Sequence, residues 1–422
     1  MTRRSVRQRW LPLLAFLLLV SIPQGAEGTN GMNLIGFGAV SPAMGGADLA
    51  LVDNATAMNI NPAGLCECAG PEIGLALSLL MPQITHGHSH GESHDAQDQV
   101  FLLPLLTYAQ PVTLAGVPLT VGVGLFSQGG MGVDHRGLHT PFGTVDDLSS
   151  DVRYAKVTPT LAWRSPVSGL KLGASLNLGY ANTEMELFPE SSGPEFAGMD
   201  LEGMEAFGYG FRLGFQYTLG RVTFGGAYLS RSELDFDGGN MVLNFGEEKV
   251  RYDAEMEGFD WPRQAGLGIS YHVSPRIRLA ADVDWIDWEG AIDTIIIRLD
   301  NPSSPTAPAS RTIRFPMDWK EQWVYAVGAE IEALPGWLLR LGYNHGDSPV
   351  PDTTLSPLFP AIVEDHLTAG VGTQHGQWSF DLAFEVALSA RQDNDNPSNP
   401  FGGIFYEKHS QFLAHAMVRR FF

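Results

Sequence analysis

The stretch GLKLGASLNLGY, residues 169–180, sets Leu170, Leu172, Ala174, Leu176, Leu178 and Tyr180 on one face of an extended chain and Lys171, Gly173, Ser175, Asn177 and Gly179 on the other. Successive side chains of a strand point to opposite faces, so a period of two reads as a strand with one apolar face and one polar or small face. RIRLAADVDWIDW, from Arg276, repeats the pattern. Ile277, Leu279, Ala281, Val283 and Trp285 oppose Arg278, Asp282 and Asp284, and the phase slips near Ile286. From Glu72 onward the same reading predicts fourteen strands: 72–83, 98–110, 118–127, 151–164, 169–183, 205–219, 221–245, 250–273, 276–298, 318–333, 336–345, 364–375, 377–389 and 409–422. An even number returns both chain ends to one side, as a closed antiparallel barrel requires.

The connections sharpen this reading. SPVSG, LGR, VSPR, LPG and HGQ are tight, whereas 84–97, 128–150, 184–204, 299–317, 346–363 and 390–408 are long and polar. A soluble sandwich alternates within its strands too, but it has no reason to alternate short and long connections. A transmembrane barrel does, with short periplasmic turns and longer extracellular loops.

Composition and the chain start point to the same compartment. MTRRSVRQRW carries four arginines and is followed by LPLLAFLLLVSI, an apolar run of 12 residues, and by the small residues of PQGAEG. That is the order of a secretory signal peptide, expected at 1–28 with cleavage after Gly28. No later run reaches about 18 apolar residues, so no transmembrane helix is expected. Without residues 1–28 the chain keeps 26 − 4 = 22 basic and 47 − 1 = 46 acidic residues, a net charge of −24. This excludes the basic footprint of a nucleic-acid binder. Glycine (48 residues), aromatics at 10% and charged residues at only 17% fit an outer-membrane β-barrel better than a soluble acidic protein. Cys66 and Cys68, in CEC, are too close in sequence to pair well and are read as free thiols, with a metal site or strained disulfide as the alternative. The chain ends AHAMVRRFF; a terminal Phe422 resembles the signal read by the outer-membrane assembly machinery, although Arg420 stands where an apolar residue is more usual.

Residues 29–71 precede the strands and are rich in Gly, Ala, Asn and Pro. A segment of this size seldom builds its own core. A barrel of fourteen strands has a lumen that needs filling, so the segment is expected inside 72–422 as a plug. Its sequence, GFGAVSPAMGGADLALVDNATAMNINPAGL, resembles the N-terminal hatch of the FadL-type outer-membrane transporters of long-chain fatty acids and other hydrophobic compounds. Gly45-Gly46-Ala47, Asp53-Asn54-Ala55 and Asn61-Pro62-Ala63 carry the match. WPRQAGLGISYHVSPRIRLAADVDWIDW and LRLGYNHGDSPVP look like later parts of the same family. The resemblance implies an all-β, 14-stranded antiparallel barrel plugged by a hatch. It also implies capture of ligand outside, passage through an apolar pocket and lateral exit into the membrane by passive diffusion. It implies no cofactor and a monomer among outer-membrane lipid and lipopolysaccharide.

Candidate residues follow from these two readings. Asn61, Pro62, Ala63 and Gly64 form a turn read either as a hatch hinge or as a plain structural turn: Pro62 fixes φ and lacks an N–H, and the Asn61 side chain can bond nearby backbone. Gly122 and Gly124 lie in the third strand, where the family has its wall opening. Glycines within a strand also mark close approaches. Arg311 and Arg314 of SRTIRF are candidates to hold a ligand carboxylate, against the plainer reading of solvated loop arginines. THGHSHGESHD places His86, His88, His90 and His94 in the first long connection, where a solvated polar loop is favoured over a metal site. G-x-S-x-G occurs only as GHSHG, residues 87–91 inside the His tract and not at a strand-to-helix turn, and no H-E-x-x-H is present, so the enzyme reading, a barrel acting on lipids, rests on no motif in the context it requires. Uptake of aromatic or alkane hydrocarbons is the alternative within the transporter reading.

Overall fold

The computed structural model describes residues 30–88, 93–397, 399, 401 and 404–422; the expected leader 1–28 and His90 lie outside them. Nineteen strands are described, all in one antiparallel sheet. In chain order they are β1 (Glu72–His88), β2 (Ser93–Asp95), β3 (Phe101–Leu114), β4 (Val117–His139), β5 (Val145–Arg164), β6 (Leu170–Gly193) and β7 (Phe196–Leu219). Then follow β8 (Val222–Leu229), β9 (Phe236–Asn244), β10 (Lys249–Glu257), β11 (Gln264–Ser274), β12 (Ile277–Ile286), β13 (Thr294–Asp300) and β14 (Ser310–Pro316). The last are β15 (Gln322–Leu334), β16 (Trp337–Gly346), β17 (Asp365–His375), β18 (Trp378–Asn394) and β19 (Phe405–Phe421).

Fourteen of them form the wall. Each pairs with its neighbour in the order β1, β3 to β8, β11, β12, β15 to β19, and β1 then pairs with β19 along its whole length, from Glu72↔Phe421 to His88↔Phe405. Short turns close one end of the ring and long connections the other. Left-handed backbone is needed in the short turns, and Gly220 (φ 63°) and Gly336 (φ 77°) supply it. Among the described residues no helix is long and apolar enough to cross a membrane.

The expected alternation holds. On β6, Lys171, Ser175 and Asn177 are buried inside the ring while Leu176 and Leu178 face outward, Leu176 with 59% of its surface open. On β12 the apparent slip at Ile286 disappears, because Ala280, Asp282 and Ile286 are all buried on the inner face and Leu279 and Val283 face out. The inner face simply ends on an apolar residue. Arg420 faces outward and stacks on the rings of Trp378, 5.3 Å away, and Phe422, 4.6 Å away, so its stem and charge are absorbed by aromatic faces at the barrel rim.

One reading needs correction. The expected strands 221–245, 250–273 and 276–298 each fuse a wall strand to one that leaves the wall. β9, β10, β13 and β14 form a sheet at the long-loop end: β9 pairs with the outer part of β7, β10 with β9 and β13, and β13 with β14. The breaks fall at 230–235, 258–263 and 287–293. At the second, Gly258 has φ 82° and Pro262 offers no donor. At the third, Asp287 accepts a hydrogen bond from the N–H of Gly290 at 3.1 Å and caps a single helical turn. Alternation runs through these breaks because the extension also buries one face, in a core that includes Tyr252, Phe259, Ile295 and Ile297. The wall still counts fourteen.

The N-terminal segment 30–71 sits inside the ring as short helical turns at Val40–Ala43, Ala55–Asn59 and Pro62–Glu67. Wall glycines let it approach. A Cβ on Gly173 would run into the Pro62 backbone, and one on Gly225 into the Leu49 carbonyl oxygen, both well inside van der Waals contact. These are backbone contacts that cannot yield to a side-chain rotation. Gly173→Leu is therefore expected to leave a folded, heat-modifiable barrel with a displaced hatch, read as higher single-channel conductance in planar bilayers. Wild-type conductance from a folded variant would mean that the hatch does not depend on this contact.

Candidate functional site

The hatch is held by side chains to backbone. Asn54 accepts from the N–H of Thr56 at 2.9 Å and opens one turn; Asn61 accepts from the N–H of Ala63 at 3.2 Å and opens the next. The Asn61 amide also donates to the carbonyls of Leu49 at 2.7 Å and of Phe215 on β7 at 2.8 Å. Asn61, Pro62, Ala63 and Gly64 are thus fully buried and docked on the wall, the geometry of a structural turn as well as the point that any hatch movement would have to release.

Acid groups also seat the hatch. The N–H groups of Asp48 and Leu49 donate to the Asp282 carboxylate of β12 at 2.7 and 2.8 Å, and the Ser41 hydroxyl donates to Asp48. Burial pushes the Asp48 carboxyl up to about 7; the Ser41 hydrogen bond opposes this, Asp284 adds to it and Arg212 opposes it. Beside them a polar cavity of about 80 Å³ is lined by Asn33, Asp48, Asn59, Gln128, Arg212 and Asp284.

Two buried cations face the hatch level of the lumen. Arg212 of β7 donates to the Ile60 carbonyl at 2.8 Å. Lys156 of β5 is 2% exposed, with Arg212 as its charged neighbour and no hydrogen bond or ion pair to a described residue. Neither forms an ion pair with a carboxylate among the described residues.

At the long-loop end lies an apolar cavity of about 450 Å³, within the usual size of small-molecule sites. Met185, Leu201, Met256, Phe259, Ile297 and Phe359 are among its lining residues, with Glu195, Arg314, Asn394 and Asn396 as polar members. Phe259 and Phe359 rings lie 5.9 Å apart. Two residues on from Phe259, Trp261 donates to Asn33 of the hatch at 2.8 Å, and Trp288 and Trp319 continue the aromatic layer at 6.0 and 5.3 Å. One short segment therefore touches both cavity and hatch. The sequence offered a signal for it in the apolar and aromatic run around WPRQ, but not the partners, which lie from 27 residues (Trp288) to 228 residues (Asn33) away in the chain.

The remaining candidates divide. Arg314 lines the cavity while Arg311 stacks on Phe245, 4.9 Å away. Both stand on β14, three residues apart, and such residues face opposite ways on a strand. Gly122 and Gly124 lie in continuous ladders with β3 and β5. A Cβ on Gly122 would meet Met58 and Leu65 of the hatch at 2.8 and 3.2 Å, and one on Gly124 would meet the Phe126 ring, so both mark close approaches. The distortion of β4 falls further on, at Ser127–Gly129, where the N–H of Gly130 donates to the Met32 carbonyl at 3.2 Å. The His tract is not the expected solvated loop. β1 runs on to His88 because β19 offers it a partner as far as Phe405, so His86 is buried and faces Glu407; His94 stands half-buried on β2. Cys66 and Cys68 are free, and burial pushes the Cys66 thiol up to about 11.

A closed barrel around a seated hatch, with an apolar cavity at one end, defines a membrane channel for hydrophobic compounds. The model of the family described as outer membrane protein transport protein (OMPP1/FadL/TodX) matches residues 26–400, and the chain belongs to this family. It is a protein of the bacterial outer membrane that transports hydrophobic compounds. Among solved structures it is similar to the Pseudomonas putida toluene transporter TodX, at 20% identity and a TM-score of 0.79 over 92% of this chain and 99% of that one. The Ralstonia pickettii toluene transporter TbuX matches at 22% identity and 0.74 over 92% and 99%, and a Pseudomonas aeruginosa FadL homologue at 15% and 0.75 over 93% and 100%. No curated protein matches the chain.

The acid seat predicts a pH dependence. A carboxyl raised from 3.8 to about 7 holds its proton more tightly in the seated hatch than in a released, hydrated one. Seating is thus firmest below that window and weakens as pH rises through it, levelling off above about 7. Thermolysin cleavage of the hatch should speed up from pH 5 to pH 7.5, and Asp48→Asn should flatten the profile. A pH-independent wild type would remove Asp48 from the energetics of seating.

Proposed function

We propose that this chain takes up long-chain fatty acids, binding them as carboxylates and releasing them passively into the outer membrane. The observation that carries the reading is Lys156, buried beside Arg212 with no acid beside it among the described residues, whereas Arg212 has Asp48 and Asp284 near it. A buried amine without an anionic partner is costly to keep charged, and a ligand carboxylate is the group that would offset that cost while its alkyl tail takes apolar surface. Arg314, which lines the apolar cavity together with Asn394 and Asn396, supports a first capture of the same head group there.

The hatch and wall support the route. Met32 and Asn33 lie against the β4 bulge, and the β5–β6 ladder has no pairing at Thr158 and Pro159. Release of the hatch at Asn61–Gly64 would uncover this stretch of wall for lateral exit. Nothing in the route makes or breaks a covalent bond, so the protein acts as a channel and not as a lipid-acting enzyme. The ring leaves no wall strand without a partner on either side, which supports a monomer in outer-membrane lipid.

Aromatic hydrocarbons are the second reading. The cavity is lined mainly by thioether, aromatic and aliphatic side chains, with Glu195 and Arg314 as its charged members, and two structurally similar proteins are named toluene transporters. The two readings part at Lys156. In cells whose own uptake channel is deleted, Lys156→Met should cut labelled oleate uptake and leave labelled toluene uptake unchanged. A charge-assisted hydrogen bond is worth about 1.5–3 kcal/mol, which is roughly 10- to 150-fold in affinity. Met fills the volume without the charge, so the barrel should fold. Equal loss of both substrates, or toluene uptake without any oleate uptake in the wild type, would reject the fatty-acid reading.

A further inference from the structure

The His tract and the upper end of β4 bring together three imidazoles that the transport route does not use. His86 and His88 stand two residues apart on the inner face of β1 and turn their Nε2 atoms toward each other at 3.4 Å. The other nitrogen of His86, Nδ1, lies 2.5 Å from the Glu407 carboxylate, and Glu407 is fully buried. With the carboxylate ionised, Nδ1 keeps the proton and donates it there, and Nε2 is left with its lone pair toward His88. A carboxylate behind a histidine is the arrangement that orients metal-binding imidazoles and raises their basicity.

His135 is the second observation. It comes from β4 and is 0% exposed, its ring centroid is 5.9 Å from that of His86, and neither ring nitrogen has a partner among the described residues. Burying an imidazole with both nitrogens unused costs free energy unless something else binds them. The charged and titratable groups that reach it are His86, His94 and Asp95. Zn–N bonds of about 2.0–2.1 Å in tetrahedral geometry place neighbouring ligand nitrogens about 3.3–3.4 Å apart, which is the His86–His88 separation.

We infer that His86, His88 and His135 form a binding site for a divalent transition metal of the Zn²⁺ class, with Glu407 orienting His86. Imidazole ligands suit zinc, copper and nickel. Among the described residues no three donors already stand at coordinating distance from one point; the ion completes the set by drawing in His135, whose nitrogens give up no existing bond when its ring turns. The site would tie β1 to β4 at the long-loop end. Phe405 lies between it and the cavity, its ring 5.2 Å from His86 and 6.1 Å from Phe401, which lines the cavity. A bound ion therefore stiffens one side of the cavity mouth.

The test uses the full protein in detergent, with heat-modifiable gel mobility to confirm that each variant is folded. Zn²⁺ alone is titrated by calorimetry, and the zinc form is examined by X-ray absorption. The wild type should bind one ion with a shell of imidazole nitrogens. His86→Ala and His135→Ala should each weaken binding at least tenfold, and Glu407→Gln should weaken it about 10- to 100-fold. His94→Ala should leave it unchanged. If His135→Ala does not fold, His135→Gln and the imidazole count of the wild-type zinc form decide the same question. Absence of binding, or binding that survives His135 replacement but is lost with His94, would overturn the site; the latter would put the ion on the exposed tract.

Discussion

A strand in hydrocarbon has no water to satisfy its amides, so every N–H and C=O must be given to a neighbouring strand, and a sheet can meet that demand only by closing on itself. The seam between β1 and β19 is where the chain meets it. It joins the first and last strands of the wall residue for residue, from Glu72↔Phe421 to His88↔Phe405. Closure fixes the even ring, because the chain ends must lie on one side. It fixes the pleat, because each strand then has one face to lipid and one to the lumen. It also extends β1 well past its apolar stretch, which carries His86 and His88 into the wall and against Glu407.

Closure creates the second problem, a lumen whose lining is polar. Lys171, Ser175, Asn177, Arg212, Gln216 and Asp282 are all buried there. The hatch answers with its own backbone: Asn61, Asp48, Leu49 and Ile60 exchange hydrogen bonds with wall groups, and glycines at 173, 214 and 225 allow chain to lie on chain. The hatch is packed as well as bonded: Phe37, Met58 and Leu65 join Ala76, Leu105, Phe126 and Met417 of the wall in one buried apolar cluster. Beyond the Trp261–Trp288–Trp319 layer the chemistry inverts, and Met, Ile and Phe side chains line the space that an apolar solute would occupy.

Much of this was legible in the chain. Period-two alternation located the wall strands, the short connections located their turns, and their number located the closure. The small-residue stretch with Asn61-Pro62-Ala63 was readable as a plug because nothing so short and so poor in large apolar residues could stand alone. Even the separation of Arg311 from Arg314 was implicit in their spacing, hidden only because 299–317 reads as a loop until β13 supplies a partner for β14. These are local properties. A pleat, a tight turn or a cap depends on residues a few positions apart, and the sequence states them directly.

What the tertiary structure alone decided depends on register around a closed ring. Alternation cannot tell a strand in the wall from one in the extension, since both bury one face, so 221–245, 250–273 and 276–298 each read as one strand and proved to be two. Lys156 looked like any polar position facing a lumen; only the surrounding strands reveal that among the described residues no acid stands beside it. Gly122 and Gly124 were legible as special, but whether they open the wall or make room, Gly122 for Met58 and Leu65 and Gly124 for the Phe126 ring, depends on what lies opposite. His135 lies two strands further along the chain than His86 and His88, and becomes their companion only because β3 and β4 fold back beside β1. Sequence periodicity dictates which way a side chain points, whereas closure and register dictate what it meets there.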